Sequence, residues 1–285
     1  MGLRRDLTGI IPEELLIALP DGYEIIGNIA IISIPPDFFQ YQDLIVQVLL
    51  ARRPKIHTIL NKTGDVDGPY RTSRYVPIYG DALITEHKEY GFRYRLDISQ
   101  VYFSSKMASE RRRIAELIKA GEKVFVPFAG VGPYAIPAAA CGAHVVTMEI
   151  SKDACSWLAL NAQKNGVSSK IHIIRGDALC AHRTLREKFS RIIIPTPYGL
   201  LQYPDRYFSL LTQEGVLHWI TFSNAREIQE IIKYLECQGH AILRCHRCGN
   251  VAPAVYRWIL DISQKGDSLS SVKNSLYTGH VENKP

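Results

Sequence analysis

The string FAGVGP at residues 128–133 sets Gly130 and Gly132 between an apolar run and a helix-like stretch, and Ala135 completes a loose G-x-G-x-x-A spacing. Glycines at such a junction lack the side chains that would hold backbone N–H groups away from a ligand at a helix N-terminus. Pro133 suits a first helical turn, where its missing N–H costs nothing. Glu149 closes the next apolar run, nineteen positions after Gly130, about where a carboxylate meets ribose hydroxyls in nucleotide folds. Asp177, in RGDA, follows the third run and reaches the same edge of a parallel sheet. It can accept from an adenine amino group, or it can cap the helix that ALCAHRTLREKF would form; both readings stand. The group points to a nucleoside held over a glycine turn, against the alternative of tight-turn glycines beside an exposed Glu.

The elements that would position these residues begin at Lys123. KVFVPFAG (123–130) reads as a strand buried on both faces, GPYAIPAAACG (132–142) as a helix, HVVTMEIS (144–151) as a strand and KDACSWLALNAQKNG (152–166) as an amphipathic helix. KIHIIRGDA, SRIIIPTP, GVLHWITF and HAILRC continue the series, and AVYRWILDIS (254–263) closes it. Such alternation predicts an α/β fold, a parallel sheet covered by helices. Upstream, EIIGNIAIISIPP (24–36) alternates as a strand, FQYQDLIVQVLLARR (39–53) has helical periodicity, and residues 57–80 are polar and turn-rich. GFRYRLDISQVYF (91–103) alternates as a half-buried strand, and SERRRIAELIKAGE (109–122) reads as a basic helix closed by Gly121. The expected organisation is a small α+β module over residues 1–90 with possible RNA contact, a cofactor-binding domain over 91–263, and a flexible tail over 264–285.

A dinucleotide oxidoreductase and an S-adenosylmethionine-dependent transferase both use such a glycine turn. The series spans only about 140 residues, room for one nucleotide-binding sheet but not for a further catalytic domain, which favours the transferase. The chain of 285 residues is 46% hydrophobic and carries a formal charge of +6, which suits a polyanionic partner without requiring one. No apolar run approaches the roughly 18–20 residues of a membrane span, and the N-terminus lacks a secretory pattern, so a cytoplasmic protein without membrane contact is expected. Six scattered cysteines predict free thiols. Cys237, His240, Cys245 and Cys248 have a C-x2-H-x4-C-x2-C spacing that could hold zinc, yet they fall where cysteines serve as small apolar residues, and no metal is expected.

DISQVYFSSKMASERRRIAELI, VFVPFAGVGPYAIPAAA, VVTMEISKDACSWLALNAQKNGV and IIRGDA together resemble the archaeal and eukaryotic tRNA guanine-37 N1-methyltransferases and their relative, the aminocarboxypropyl transferase of wybutosine synthesis. The likeness covers roughly residues 90–262. It implies a class I methyltransferase sheet, Rossmann-like with seven strands and the last antiparallel, so that AVYRWILDIS becomes the reversed edge strand. It further implies S-adenosyl-L-methionine as cofactor, tRNA with its anticodon-loop guanosine as substrate, and a monomer. Carried over, Tyr102, Phe103, Ser104 and Arg111 would sit against the methionine part of the cofactor. Phe128, Ala129, Gly130 and Gly132 would pass beneath it, Glu149 with Ile150 would hold the ribose, and Asp177 with Ala178 would border the adenine.

Three positions depart from the family pattern. Val126 stands where an acidic residue is usual, Ser105-Lys106-Met107 replaces a proline-arginine-leucine string, and Pro195 replaces the asparagine that orients the target base. N1 methylation must remove a proton and stabilise charge growing on O6, so an acceptor and a donor are needed. Glu110 is the expected acceptor and Lys106 or Arg111 the donor, while Tyr198 is placed to stack on an extruded base. Arg52, Arg53, Lys55 and His57, then Arg71 and Arg74 beside Tyr70 and Tyr75, and Arg111 to Arg113, offer phosphate contacts and stacking. Competing readings are the aminocarboxypropyl branch, another methyl acceptor, and a binding protein that kept only the sheet.

Overall fold

Short apolar strands broken by glycine or proline turns build the N-terminal part of the chain. The computed structural model describes residues 3–19, 22–63, 74–200 and 203–264. Helices α1 (Leu3–Leu7) and α2 (Glu13–Leu16) precede strands β1 (Glu24–Ile26) and β2 (Ile29–Ile32). A 3-10 turn and α3 (Gln42–Arg52) lead to β3 (Thr58–Lys62) and β4 (Tyr75–Tyr79). The sheet runs β1-β2-β3-β4, with β2 and β3 parallel across the α3 crossover and the other pairs antiparallel. Leu3, Leu7, Phe38, Ile45, Leu49 and Ile59 form its core. The stretch read as polar and turn-rich thus contains a central strand. Thr58 to Asn61 are buried throughout, and the Asn61 carboxamide earns its place by accepting from the Ile34 N–H at 2.9 Å. Tyr70 and Arg71 lie outside the described residues.

A hairpin of β5 (Ile84–Glu89) and β6 (Phe92–Asp97) turns at Tyr90 and Gly91, both with positive φ, the geometry a two-residue hairpin turn demands. The division expected at residue 90 falls at its tip. One side of the hairpin is tied to the turn between β1 and β2 through Thr85 and His87, which accept from the N–H groups of Asn28 and Gly27. On the other side, two asparagines four apart on one helix, Asn161 and Asn165, each donate to and accept from the backbone of Arg95 and Arg93. Amide side chains thereby satisfy an edge strand that no neighbouring strand covers.

The larger sheet holds β7 (Lys123–Pro127), β8 (His144–Glu149), β9 (Ile171–Arg175), β10 (Phe189–Pro195), β11 (Leu211–Ser223), β12 (His240–Ala252) and β13 (Val255–Gln264) in the order β12-β13-β11-β10-β7-β8-β9. Helices α4 (Ala108–Glu116), α5 (Ala135–Ala140), α6 (Lys152–Lys164), α7 (Ala181–Thr184), α8 (Asp205–Phe208) and α9 (Ala225–Cys237) connect or cover the strands. This is the expected seven-stranded α/β sheet, and β13 is antiparallel to both neighbours. It is not the edge, however. Ile259, Leu260 and Ile262 of β13 are fully buried, whereas β12 carries the exposed Arg244, so the more apolar strand takes the interior slot. Two helix limits also move: α5 starts at Ala135, leaving Pro133 in the turn before it, and α4 ends at Glu116, ahead of Gly121. Among the described residues no helix is long and apolar enough to cross a membrane.

Candidate functional site

All parallel strands of the large sheet end on one side, and their carboxyl ends open into a cavity of about 550 Å3. Strand β7 delivers the turn Phe128–Gly132, β8 delivers Glu149 and Ile150, β9 delivers Asp177 and Ala178, and β10 delivers Pro195 to Tyr198. Tyr102, Phe103, Ser104, Lys106 and Arg111 close the cavity from the segment before β7, and Glu24 and Ile31 reach it from the N-terminal sheet. Of the residues expected from the sequence to be catalytic or to hold the cofactor, only Gly132 and Glu110 are missing from its lining.

The glycine turn is built for a ligand at one position and for packing at the other. Gly130 has φ +54°, and a Cβ added there would meet nothing within 4 Å, so its bare face looks into open space. Its N–H donates to Glu149 Oε2 at 2.9 Å, and the Ser151 N–H donates to Oε1 at 2.9 Å. Both carboxylate oxygens are thereby fixed, each keeping a lone pair for a hydroxyl. At Gly132, φ is +95° and a Cβ would lie 2.3 Å from Leu158 Cδ1 and 3.0 Å from Ile136 Cδ1. Gly132 therefore acts through helix packing. Gly132→Ala should lower stability by about 2–3 kcal/mol in urea unfolding, whereas Gly130→Ala should cost about 1 kcal/mol and show instead as weakened nucleoside binding by calorimetry.

Asp177 fills the capping role and stands on the cavity wall as well. Its Oδ1 accepts from the Leu179 N–H at 2.9 Å as a helix cap, and the residue also borders the cavity. Arg111 lines the cavity too, but its guanidinium is committed: Nε and Nη2 donate to Glu89, and Nη2 also donates to the Ser104 carbonyl at 3.0 Å. Burial works against the Glu89 charge, yet the bonds from Arg111 and His87 outweigh it and hold the carboxyl below its ordinary range. This pair pins the hairpin to α4 and sets the course of Phe103 and Ser104. Arg111 therefore commits Nε and Nη2 to structure, and of the donor expected from the sequence only Nη1 is left without a partner among the described residues.

Glu110 faces the sheet and departs from its expected place. One oxygen accepts from Arg113 Nε at 2.7 Å and the other from His246 Nε2 at 2.9 Å. Burial raises its pKa, but His246 and Arg113 more than offset that and keep it charged. Arg113 also spans both oxygens of Asp261 at 2.7 and 3.0 Å, and Asp261 accepts from His218 Nδ1 at 2.6 Å. His218 Nε2 lies 2.6 Å from Arg191 Nη1, and an arginine can only donate, so that nitrogen is bare and the imidazole neutral. Burial and the two arginines depress the His218 pKa despite Asp261. A line of polar groups thus crosses beneath α4. The run Arg111–Arg113 is accordingly not an RNA patch: only Arg112 is exposed, and it pairs with Glu116.

The four-residue zinc pattern is not assembled. Cys237 is exposed at the end of α9, the His240 ring stacks on Phe208 at 3.6 Å, and Cys245 and Cys248 enter cores on different sides of the sheet. Among the described residues, Glu110, His246 and Cys248 bring ligand atoms within 4.8 Å of one another. Arg113 and Arg244 bond two members of that group, and burial pushes the Cys248 thiol up to about 12, so a divalent cation would meet guanidinium charge and a protonated thiol.

Sequence reasoning missed Glu24, Asn250, Val251 and Arg257, all in the cavity lining. Arg257 carried a usable signal, being a charge inside the apolar strand VYRWILDI. Glu24 carried none, since its strand belongs to the other sheet.

The model for the TRM5/TYW2 methyltransferase domain matches residues 85–245, and that for the TYW2 N-terminal domain matches residues 3–83. The chain is 34% identical over 264 residues to the tRNA (guanine(37)-N(1))-methyltransferase Trm5b of Pyrococcus abyssi, covering 88% of this chain and 77% of that one. The crystal structure of that Trm5b superposes with a TM-score of 0.78 and covers 89% of this chain and 78% of its own. A tRNA (guanine(37)-N(1))-methyltransferase of Danio rerio is 33% identical over 58% of this chain, which spans only 34% of that relative. P. horikoshii TYW2, crystallised in complex with MeSAdo, shares the fold at a TM-score of 0.70 and 24% identity, over 91% of this chain and 97% of that one.

Proposed function

This chain belongs to the TRM5/TYW2 methyltransferase family, and we propose that it is an S-adenosylmethionine-dependent enzyme that methylates N1 of the guanosine at position 37 of tRNA. One observation carries the reading: a single cavity joins the glycine turn and Glu149 at one end to Pro195, Tyr198 and Lys106 at the other, so cofactor and base would meet inside it. The cofactor fits the residues present, because Gly130 leaves its space open and Glu149 is held facing it. When bound there, S-adenosylmethionine supplies an electrophilic methyl group.

Glu149 accepts from the ribose hydroxyls, while Ile150, Ala178 and Leu179 give the adenine apolar walls and Asp177 a polar rim. Tyr102, Phe103 and Ser104 bound the methionine end. Tyr198 is 45% exposed and meets Phe222 edge to face at 5.2 Å, which leaves its own face for an extruded guanine. Lys106, exposed at the same end, donates to O6 as charge grows there. The N1 proton goes to a carboxylate. Glu24 holds the Ser105 N–H on Oε1 at 2.8 Å, and its other oxygen has no protein partner among the described residues; Glu110 joins it only by releasing His246. We take the protein to act as a monomer in the cytoplasm, with Lys55, Lys88 and Arg95, which line a second cleft beside the hairpin, set against RNA phosphates.

The match of residues 3–83 to a TYW2 N-terminal domain and the loss of the base-orienting asparagine at Pro195 favour a second reading, aminocarboxypropyl transfer. Two preparations of S-adenosylmethionine, labelled in the methyl or the carboxyl group, separate the two on tRNA lacking its own modifications. Methyl label at guanosine 37 is expected. Carboxyl label would move the chain to the second reading, and label in neither, with cofactor binding intact, would defeat both.

A further inference from the structure

Arg257 lies on β13 at the base end of the cavity and is 9% exposed. Its guanidinium rests over the Phe222 ring at 5.4 Å, and Nη1 points to Met107 Sδ at 3.4 Å. A thioether is a weak acceptor, and the guanidinium has five N–H donors. Among the described residues no carboxylate lies within ion-pair distance of it, whereas the buried Arg111 and Arg191 and the half-buried Arg113 each have one. Leaving a buried arginine so poorly partnered is costly unless a ligand completes it.

Its position selects the ligand. Phe222 touches Arg257 on one side and Tyr198 on the other, and Pro195 lines the same end, while Gly130 and Glu149 lie with the nucleoside end. Pro195 supplies no side-chain donor where the family pattern has an asparagine. We propose that Arg257 is a specificity-determining residue whose planar fork binds O6 and N7 of the target guanine, doing from β13 what the asparagine does from the end of β10 elsewhere in the family. The inference rests on the guanosine-methylating reading above. Two parallel N–H bonds to O6 and N7 are the usual arginine contact to guanine, and the bond to O6 also strengthens as N1 loses its proton.

The test uses the full chain and two ligated tRNAs, one with guanosine and one with 7-deazaguanosine at position 37. Arg257→Met keeps the stem on Phe222 and removes the fork, and Arg257→Lys keeps the charge without the fork. The wild type should lose about tenfold in kcat/KM on the 7-deaza substrate, which lacks the N7 acceptor. Arg257→Met should be about 30-fold slower than wild type on guanosine and indifferent to the 7-deaza change, with S-adenosylmethionine affinity by calorimetry and thermal unfolding both unaltered. Arg257→Lys should recover part of the rate and remain indifferent to N7. Variants that still discriminate against 7-deazaguanosine, match the wild type, or lose cofactor binding overturn the proposal alone. A wild type that methylates neither tRNA overturns the guanosine reading and this inference with it.

Discussion

Asp261→Ala is expected to destabilise the fold by about 3–5 kcal/mol, because it removes one partner from a buried ionic network and leaves the other charges behind. Asp261 is 1% exposed and accepts three hydrogen bonds, two from Arg113 and one from His218. Without it, the neutral His218 loses its acceptor and Arg113 keeps only Glu110. Since α4 is fastened to the sheet through Arg113, the helix that carries Arg111 to the cavity loosens as well, and with it the Ser105–Met107 turn that holds Lys106. Urea unfolding at pH 7 measures the loss, and a change below about 1 kcal/mol would mean that the network contributes no more than a surface pair.

The pH dependence follows from the same groups. Burial raises the Asp261 pKa, but His218 and Arg113 outweigh it and hold the carboxyl far below its ordinary range. In the unfolded chain it takes a proton near pH 4, so its contribution is present above that pH and is lost progressively on further acidification. His218 is also depressed, so the unfolded chain binds its proton from about pH 6.5 downward while the folded chain does not, and stability falls in the same direction. Wild-type stability should therefore decline from about pH 6.5 and more steeply below about pH 4. Asp261→Ala should be less steep in the lower range, and an unchanged slope there would sink the assignment.

What the sequence disclosed and what it hid divide by range. Gly130, Glu149 and Asp177 could be placed because each ends a strand of a βα unit, and local spacing alone carries such residues to the carboxyl edge of the sheet. The direction of β13 followed from the family resemblance, but its interior position did not, since nothing local says that β12 takes the edge. Glu110 and Arg111 are neighbours on one helix, yet one faces Arg113 and His246 and the other Glu89. His246 lies on β12 and Glu89 on the hairpin, and only the folded chain brings them to α4. Glu24 was silent for the same reason, whereas Arg257 showed as a charge in an apolar strand with nothing local to say what it faces. The basic run at Arg111–Arg113 misled because three consecutive arginines look solvated, while α4 meets the hairpin on one side, where Arg111 pairs with Glu89, and the sheet on the other, where Arg113 pairs with Asp261.

At the other end of the cavity, Glu149→Ala is expected to weaken S-adenosylmethionine binding by about 100-fold with little loss of global stability. The carboxylate does two things at once. It orders the turn by accepting from the Gly130 and Ser151 N–H groups, and it leaves lone pairs aimed where a ribose would lie. Charge-assisted bonds are each worth about 1.5–3 kcal/mol, so losing two hydroxyl contacts and freeing the turn accounts for the expected factor, while the freed N–H groups can turn to water in a half-open site. Glu149→Gln separates the two roles, since a carboxamide keeps one acceptor oxygen and should retain an intermediate affinity. The decisive comparison is an S-adenosylmethionine analogue lacking both ribose hydroxyls. Wild-type affinity should drop on the analogue and the Glu149→Ala affinity should not, because the interaction being removed is then already absent. If the variant discriminates against the analogue as strongly as the wild type, Glu149 shapes the turn only and the ribose is held by another group.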